Sequence, residues 1–305
     1  MTYLTDDPRS ALRASTAASN GRDGPAEPGE IEAFYEREPD HDNGDGSRAW
    51  SARGQNFTLL LDAVDGERTL TRSGQPDEWA LLLPDTGLAA EVAWNGEQVT
   101  VPARSLTFIP AGDSEVRLRG SGRAVRLFSV AAADLAGHAH NAASYARPHA
   151  HLPPFEPWPE APGAPRVRSY DLDVAPEPGR FGRIFRCSTL MVNFLEPNDG
   201  PRDRAKLSPH AHDDFEQCSL ALEGAYVHHL RWPWTPDATT WRADEHVHVG
   251  SPSVTVIPPQ VVHTSEAVGA ERNQLVDIFC PPRADFSDMP GWVLNAEDYP
   301  LRPQD

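Results

Sequence analysis

The sequence predicts an all-β protein made of two similar units in tandem. Three observations carry this. The 305 residues include 30 prolines and 22 glycines, which leaves little room for long helices and suits short strands joined by turns. Short β-rich runs alternate with turn signals from residue 50 to about 130, and again from about 166 to 280. Finally, the halves repeat. SLTFIPAGDSE (105–115) aligns with SVTVIPPQVVH (253–263), and DEWALLLPDTG (77–87) aligns with FEQCSLALEG (215–224), as expected for two copies of one β-unit.

The elements follow in order. Residues 1–49 are polar, with clusters such as DNGDGS (42–47), and read as a flexible acidic arm. Within it, IEAFYE (31–36) reads as a short helix against the body. Residues 50–133 form the first β-unit, with NG and GSG marking hairpins. Residues 134–165 read as a connector. ADLAGHAHNAASYA suggests a short helix, and the proline-rich stretch 148–165 rules out a central strand. Residues 166–291 form the second β-unit, and 292–305 a packed tail.

Composition limits the function. A net charge of −18 argues against binding nucleic acid or an anionic membrane surface, since both need clustered Lys and Arg. Cys187, Cys218 and Cys280 all fall in apparent strands, so a disulfide framework is not expected. No stretch reaches the roughly 18 apolar residues of a membrane helix. The opening MTYLTDDPRSALRASTAASNG lacks the apolar run of a signal peptide. A cytoplasmic location is the default expectation.

Four H-x-H pairs compete for a metal: His138/His140, His149/His151, His210/His212 and His246/His248. On a strand, residues i and i+2 face one side, so such a pair presents both imidazoles to one cavity. A carboxylate four residues on keeps that parity, and a histidine on a neighbouring strand closes the site. The set His210, His212, Glu216 and His263 meets these conditions. His149, His151, Glu156 and Gly163 match the spacing H-x-H-x4-E-x6-G, yet the prolines of LPPFEPWPEAPG exclude a barrel strand. His138/His140 lies in the expected helix, where i and i+2 diverge. His246/His248 has strand texture but no carboxylate at a suitable spacing.

At these residues the chain resembles the cupin family. The first cupin motif, G-x5-H-x-H-x3/4-E-x6-G, appears as HAHDDFEQCSLALEG, and the second as GSPSVTVIPPQVVH. Arg204 stands where the first motif has its leading glycine. Seven residues, not six, separate Glu216 from Gly224. Gln260 replaces the glycine of P-x-G, and no Asn follows His263. The resemblance implies two tandem cupin barrels (double-stranded β-helix, or jelly-roll), often dimeric. The first barrel has lost its imidazoles, with Arg72, Gly74 and Glu115 at the matching positions.

The second barrel would hold one divalent transition metal through His210, His212, Glu216 and His263, with Fe(II) favoured over Mn, Ni or Zn. Alternation in NQLVDIFC points the apolar set Gln274, Val276, Ile278 and Cys280 inward, making Gln274 a substrate-binding candidate. Alternation in AYVHHLRW points Tyr226 and His228 inward and His229 outward. Tyr226, His228 and Glu216 are then candidate proton carriers. RWPWTPDATTW (231–241) reads as an aromatic loop at the barrel mouth, a lid or an interface patch. The leading expectation is an Fe(II) dioxygenase acting on a small enolic, phenolic or cyclic substrate. The alternatives are a Zn or Mn isomerase, epimerase or lyase on a sugar acid or keto acid, and a non-enzymatic binding module.

Overall fold

The computed structural model describes residue 3 and residues 7–12, 25–42 and 47–302. The expectations for the remaining arm residues, for the absence of a signal peptide, and for the end of the tail (303–305) lie outside the described residues.

Two antiparallel β-barrels stand side by side. The first is a nine-stranded sheet organised by a long hairpin, Phe57–Gln75 against Gly112–Ser129, paired from Phe57↔Ser129 to Gln75↔Gly112. This ribbon curls, so one end pairs with Trp79–Leu83 and the other with Leu88–Trp94. The second barrel has two sheets. The larger contains, in order, Ser253–Ile257, Gln217–Glu223, Arg272–Phe279, Met191–Phe194 and Arg183–Arg186, and the smaller contains Glu245–Val249, Tyr226–Arg231 and Val262–Ala267.

The barrels exchange strands, which corrects two expected boundaries. Glu30–Ala33 lies in the expected arm, yet it pairs with Ser253–Ile257 and forms the edge of the second barrel's large sheet. Phe34 follows in a short 3-10 turn, Phe34–Glu36, and is fully buried. IEAFYE is therefore a strand and a turn rather than a helix. Arg168–Asp171, placed by the sequence in the second unit, pairs with Ser105–Ile109 of the first. The connector carries the short helix Ala133–His138 and the 3-10 turn Ala142–Tyr145, with no strand in its proline-rich part.

The largest core lies between the barrels. Leu59, Leu61, Leu82 and Leu127 of the first meet Cys218, Leu220, Val254, Val276 and Ile278 of the second. Burying each such leucine, valine or isoleucine contributes about 1.5–3 kcal/mol. The alternate residues of the same strands face the barrel interiors. Leu60, Trp79, Leu81, Leu83 and Phe128 fill the first barrel, with Trp79 stacked on Phe128 at 4.9 Å. That interior also buries the ion pair of Arg126 with Asp62 at 2.8 Å, and Arg72 lies 5.3 Å over the Phe128 ring and pairs with Asp134 at 2.6 Å. Strands such as WALLL are continuously apolar because both of their faces are buried.

Candidate metal centre

His210 and His263 face each other across an isolated antiparallel bridge, their backbones joined by reciprocal hydrogen bonds of 3.0 and 2.7 Å. His212 follows on the same side. The turn that returns the chain to His263 passes through Gln260 at φ +68°, in the left-handed region where glycine is favoured. This explains the usual glycine of P-x-G, and here glutamine takes that conformation.

The three imidazoles are buried, with ring centroids 4.4 to 5.0 Å apart. Their nitrogens all lie within 4.8 Å of one another, the one such group of three or more His, Cys, Asp or Glu side chains among the described residues. His210 Nδ1 and His263 Nδ1 each lie 2.9 Å from a backbone carbonyl, of Ser208 and Val261. An N–H donated there leaves the Nε2 lone pair free. His263 Nε2 is indeed buried without a partner. Burial drives the pKa values of His210 and His212 well below the imidazole range and that of His263 down to about 4. All three are therefore neutral at pH 7, the protonation state that ligates metal.

The structure corrects the fourth candidate. Glu216 does not point at the histidines. Residues 213–216 form no strand, so the alternation that would carry parity from His212 to Glu216 is broken. The Glu216 side chain instead accepts the backbone N–H of Asn56 at 3.1 Å. Burial pushes its pKa up to about 7, against backbone hydrogen bonds from Asn56 and Gln55 that lower it. A Cβ at Gly54 would collide with its Oε1 and with the Phe57 ring. Glycine is what lets the loop approach the carboxyl so closely.

Gln217 takes the place expected of Glu216. Its strand, Gln217–Glu223, begins there, and Gln217 Oε1 lies 3.0 Å from His212 Nε2. Its Nε2 donates to Ser219 Oγ (3.0 Å) and Asp277 Oδ1 (3.1 Å), while Ser219 Oγ donates to Asp277 at 2.8 Å. Asp277 is an acceptor when ionised, so the amide must turn its oxygen toward His212. A proton on His212 Nε2 makes the 3.0 Å contact a hydrogen bond. A proton on Nδ1 makes it the approach of two lone pairs, which a cation stabilises. About 3 Å is also the separation of adjacent donors around a metal with bonds of about 2.1 Å. Three imidazoles and an amide oxygen therefore fit a divalent transition metal.

The cavity beside the histidines measures about 320 Å³ and is lined in part by His210, His263, Gln217, Asp277, Tyr226 and Leu275. Tyr226 thus stands where the sequence places it, and its buried hydroxyl has no partner. His228 is buried beside it, their rings 6.2 Å apart, with Nδ1 2.9 Å from Ser265 Oγ and Nε2 unpartnered. Burial lowers the His228 pKa to about 3 and pushes the Asp277 carboxyl up to about 6. His229 faces outward, 2.7 Å from His246 and 3.0 Å from Glu266.

Gln274 is a second correction. Its Nε2 donates to the carbonyls of Leu195 and Leu275 at 2.9 Å each. Val276, Ile278 and Cys280 on the same face pack into the core between the barrels. The cavity takes the opposite face, Leu275 and Asp277. The apolar face of this strand meets the other barrel, and the mixed face meets the site.

The competing histidines stay apart from the centre. His149 Nε2 lies 3.3 Å from Ser144 O, His151 Nδ1 lies 3.0 Å from Gln260 Nε2, and Glu156 pairs with Arg302. His138 Nδ1 lies 2.6 Å from Asp134 O, and His140 lies 3.0 Å from Glu32. Trp234 of the aromatic loop is 77% exposed and stacks on Trp241 at 4.5 Å.

No protein-family model and no curated protein sequence matches the chain. Solved structures do resemble it. The oxalate decarboxylase of Lactobacillus farciminis, in a formate complex, superposes with a TM-score of 0.56 at 15% identity, over 83% of this chain and 86% of that one. An oxalate decarboxylase variant of Bacillus subtilis gives 0.55 at 13% identity, over 84% and 78%. AerE of Microcystis aeruginosa gives 0.52 at 9% identity, over 77% and 93%. The fold is that of a bicupin. In this chain the buried three-histidine group sits in the second barrel. Gln217, Asp277 and Ser219 are the residues that sequence reasoning missed. A signal for Gln217 was available: counted from Gln217, the spacings H-x-H-x4-Q-x6-G satisfy the motif to Gly224.

Proposed function

We propose that this bicupin is a mononuclear metal-dependent enzyme, an Fe(II) dioxygenase of a small enolic or phenolic substrate. One observation carries the reading: three buried, neutral imidazoles converge, and two of them, His210 and His263, line a cavity that also holds an unpartnered tyrosine hydroxyl. His210, His212 and His263 would hold the metal, with the Gln217 amide oxygen beside them. An iron ion bound there supplies Lewis acidity and one-electron chemistry with dioxygen.

The chain's own residues do the rest. The donor set carries no formal negative charge, which favours an anionic substrate. Asp277 and Ser219 lock the Gln217 amide. The Tyr226 hydroxyl stays protonated, because burial raises its pKa, and is free to donate to a substrate oxygen.

A redox-neutral reading, a Zn or Mn isomerase or lyase, draws support from the paired proton carriers Tyr226 and His228, each with an unpartnered polar atom. The discriminating experiment is metal analysis of protein purified without chelator, with oxygen uptake followed on enolic and phenolic substrates after anaerobic Fe(II) loading. Substrate-dependent oxygen uptake supports the dioxygenase. Turnover under strict anaerobiosis with bound zinc or manganese replaces it with the second reading. Binding without turnover in either assay leaves a small-molecule-binding module.

A further inference from the structure

The N-terminal segment lies against the mouth of the cavity. Asp7 caps the short turn Pro8–Ala11, accepting the Arg9 N–H at 2.9 Å. Its carboxylate also grips the Arg9 guanidinium through Nε (3.0 Å) and Nη2 (2.7 Å). The same carboxylate accepts the Ser208 hydroxyl at 2.9 Å, two residues before His210. The Arg9 guanidinium lies 4.4 Å over the Phe181 ring and 4.8 Å over that of Tyr3. The Tyr3 ring in turn is 5.5 Å from the His210 imidazole. Pro8 and Arg9 line the cavity, and Arg9 is only 9% exposed.

Charge gives this strap a meaning. The chain carries a net charge of −18, yet Arg9, Arg180 and Arg202 all line this one cavity. Of its acids, Glu196 is paired with Arg183 at 2.9 Å, and Asp277 is occupied by Gln217 and Ser219. Asp7 fixes one edge of the Arg9 guanidinium, and among the described residues Nη1 has no hydrogen-bond partner. A guanidinium held in place with free donors at the wall of a cavity is preorganised for a carboxylate.

We propose that Arg9 is a specificity-determining residue, which anchors the carboxylate of a small organic acid while the acid's other end faces the histidines. The strap, latched by Asp7 to Ser208, closes the cavity behind it. What the far end of the acid meets rests on the metal-centre reading above. The anchor itself does not.

The test uses malonate as the probe and uncharged malonamide as the control, titrated calorimetrically into the full-length protein. Replacing Arg9 by Ala is expected to weaken malonate binding about ten-fold or more, with Arg9→Lys intermediate and malonamide indifferent to both. Metal content and the circular dichroism spectrum should match wild type. In parallel, hydrogen exchange of the amides of residues 7–12 should slow when malonate is added and quicken in Asp7→Asn. Malonate affinity unchanged in Arg9→Ala, or strap exchange that ignores malonate, overturns the assignment whatever metal is present. Arg9-dependent malonate binding in a protein that takes up no metal would sink the proposed chemistry and leave the anchor standing.

Discussion

Exchanging the roles of two adjacent residues gives the sharpest test of the metal centre. Glu216 has the chemistry of a ligand and Gln217 has the position of one. Glu216→Ala removes the acceptor for the Asn56 and Gln55 N–H groups in a buried junction. Stranded buried donors cost about 1–3 kcal/mol each, so stability should fall by about 2–6 kcal/mol. Metal content should not change. Gln217→Ala removes the oxygen 3.0 Å from His212 Nε2. It should weaken metal binding about ten- to hundred-fold, the range seen when such supporting groups are lost, with a smaller effect on stability. Gln217→Glu places a second carboxylate against Asp277, where the Gln217 Nε2 donor stood 3.1 Å from Oδ1. Two carboxylates that close do not both ionise, so the substitution should destabilise the fold, and adding Asp277→Asn should restore it. The assays are chelator competition for the metal and urea unfolding for stability. Metal lost from Glu216→Ala but kept by Gln217→Ala would refute the placement of both residues.

Three further outcomes follow from the same geometry. His210→Ala or His263→Ala should lose most of the bound metal, while His149→Ala and His151→Ala keep it, as measured by metal analysis. His228 has its pKa lowered to about 3 by burial, against about 6.5 when unfolded. Its contribution to stability is present above pH 6.5 and lost as pH falls toward 3, about 2 kcal/mol of it by pH 5. Urea unfolding at pH 7 and pH 5 should show that slope flattened in His228→Gln. Finally, Gly54→Ala should cost about 1–3 kcal/mol by overpacking, because its methyl meets Glu216 and Phe57, and thermal unfolding will show it.

The two-barrel architecture and the three histidines were legible because H-x-H spacing, strand texture and internal repetition are local signals. The errors share one physical cause. In Tyr226–Arg231 His229 and Arg231 reach solvent while Tyr226, His228 and Leu230 are buried, and of these Tyr226 lines the cavity. Gln217–Glu223 and Arg272–Phe279 are buried on both faces. There the more apolar set packs between the barrels, and of the polar set Gln217 and Asp277 line the cavity, with Ser219 hydrogen-bonded to both. Choosing the apolar side as inward therefore placed Gln274 wrongly. Glu216 failed for a different reason, because the turn at Asp213 and Asp214 interrupts the strand before parity reaches it. The docking of Arg9 could not be read at all, since no periodicity links a segment at residue 9 to a cavity wall 200 residues away.

The exchange of Glu30–Ala33 and Arg168–Asp171 between the barrels also decides what can be cut from this chain. A fragment beginning near residue 166 would contain every histidine of the centre. It would lack the strand that covers Ser253–Ile257, leaving a row of unpaired backbone groups as a template for aggregation. The complementary fragment would lose the strand that covers Ser105–Ile109. The arm strand completes the edge of the second barrel and the strand after the connector completes that of the first, so a cut near residue 166 bares an edge in both fragments.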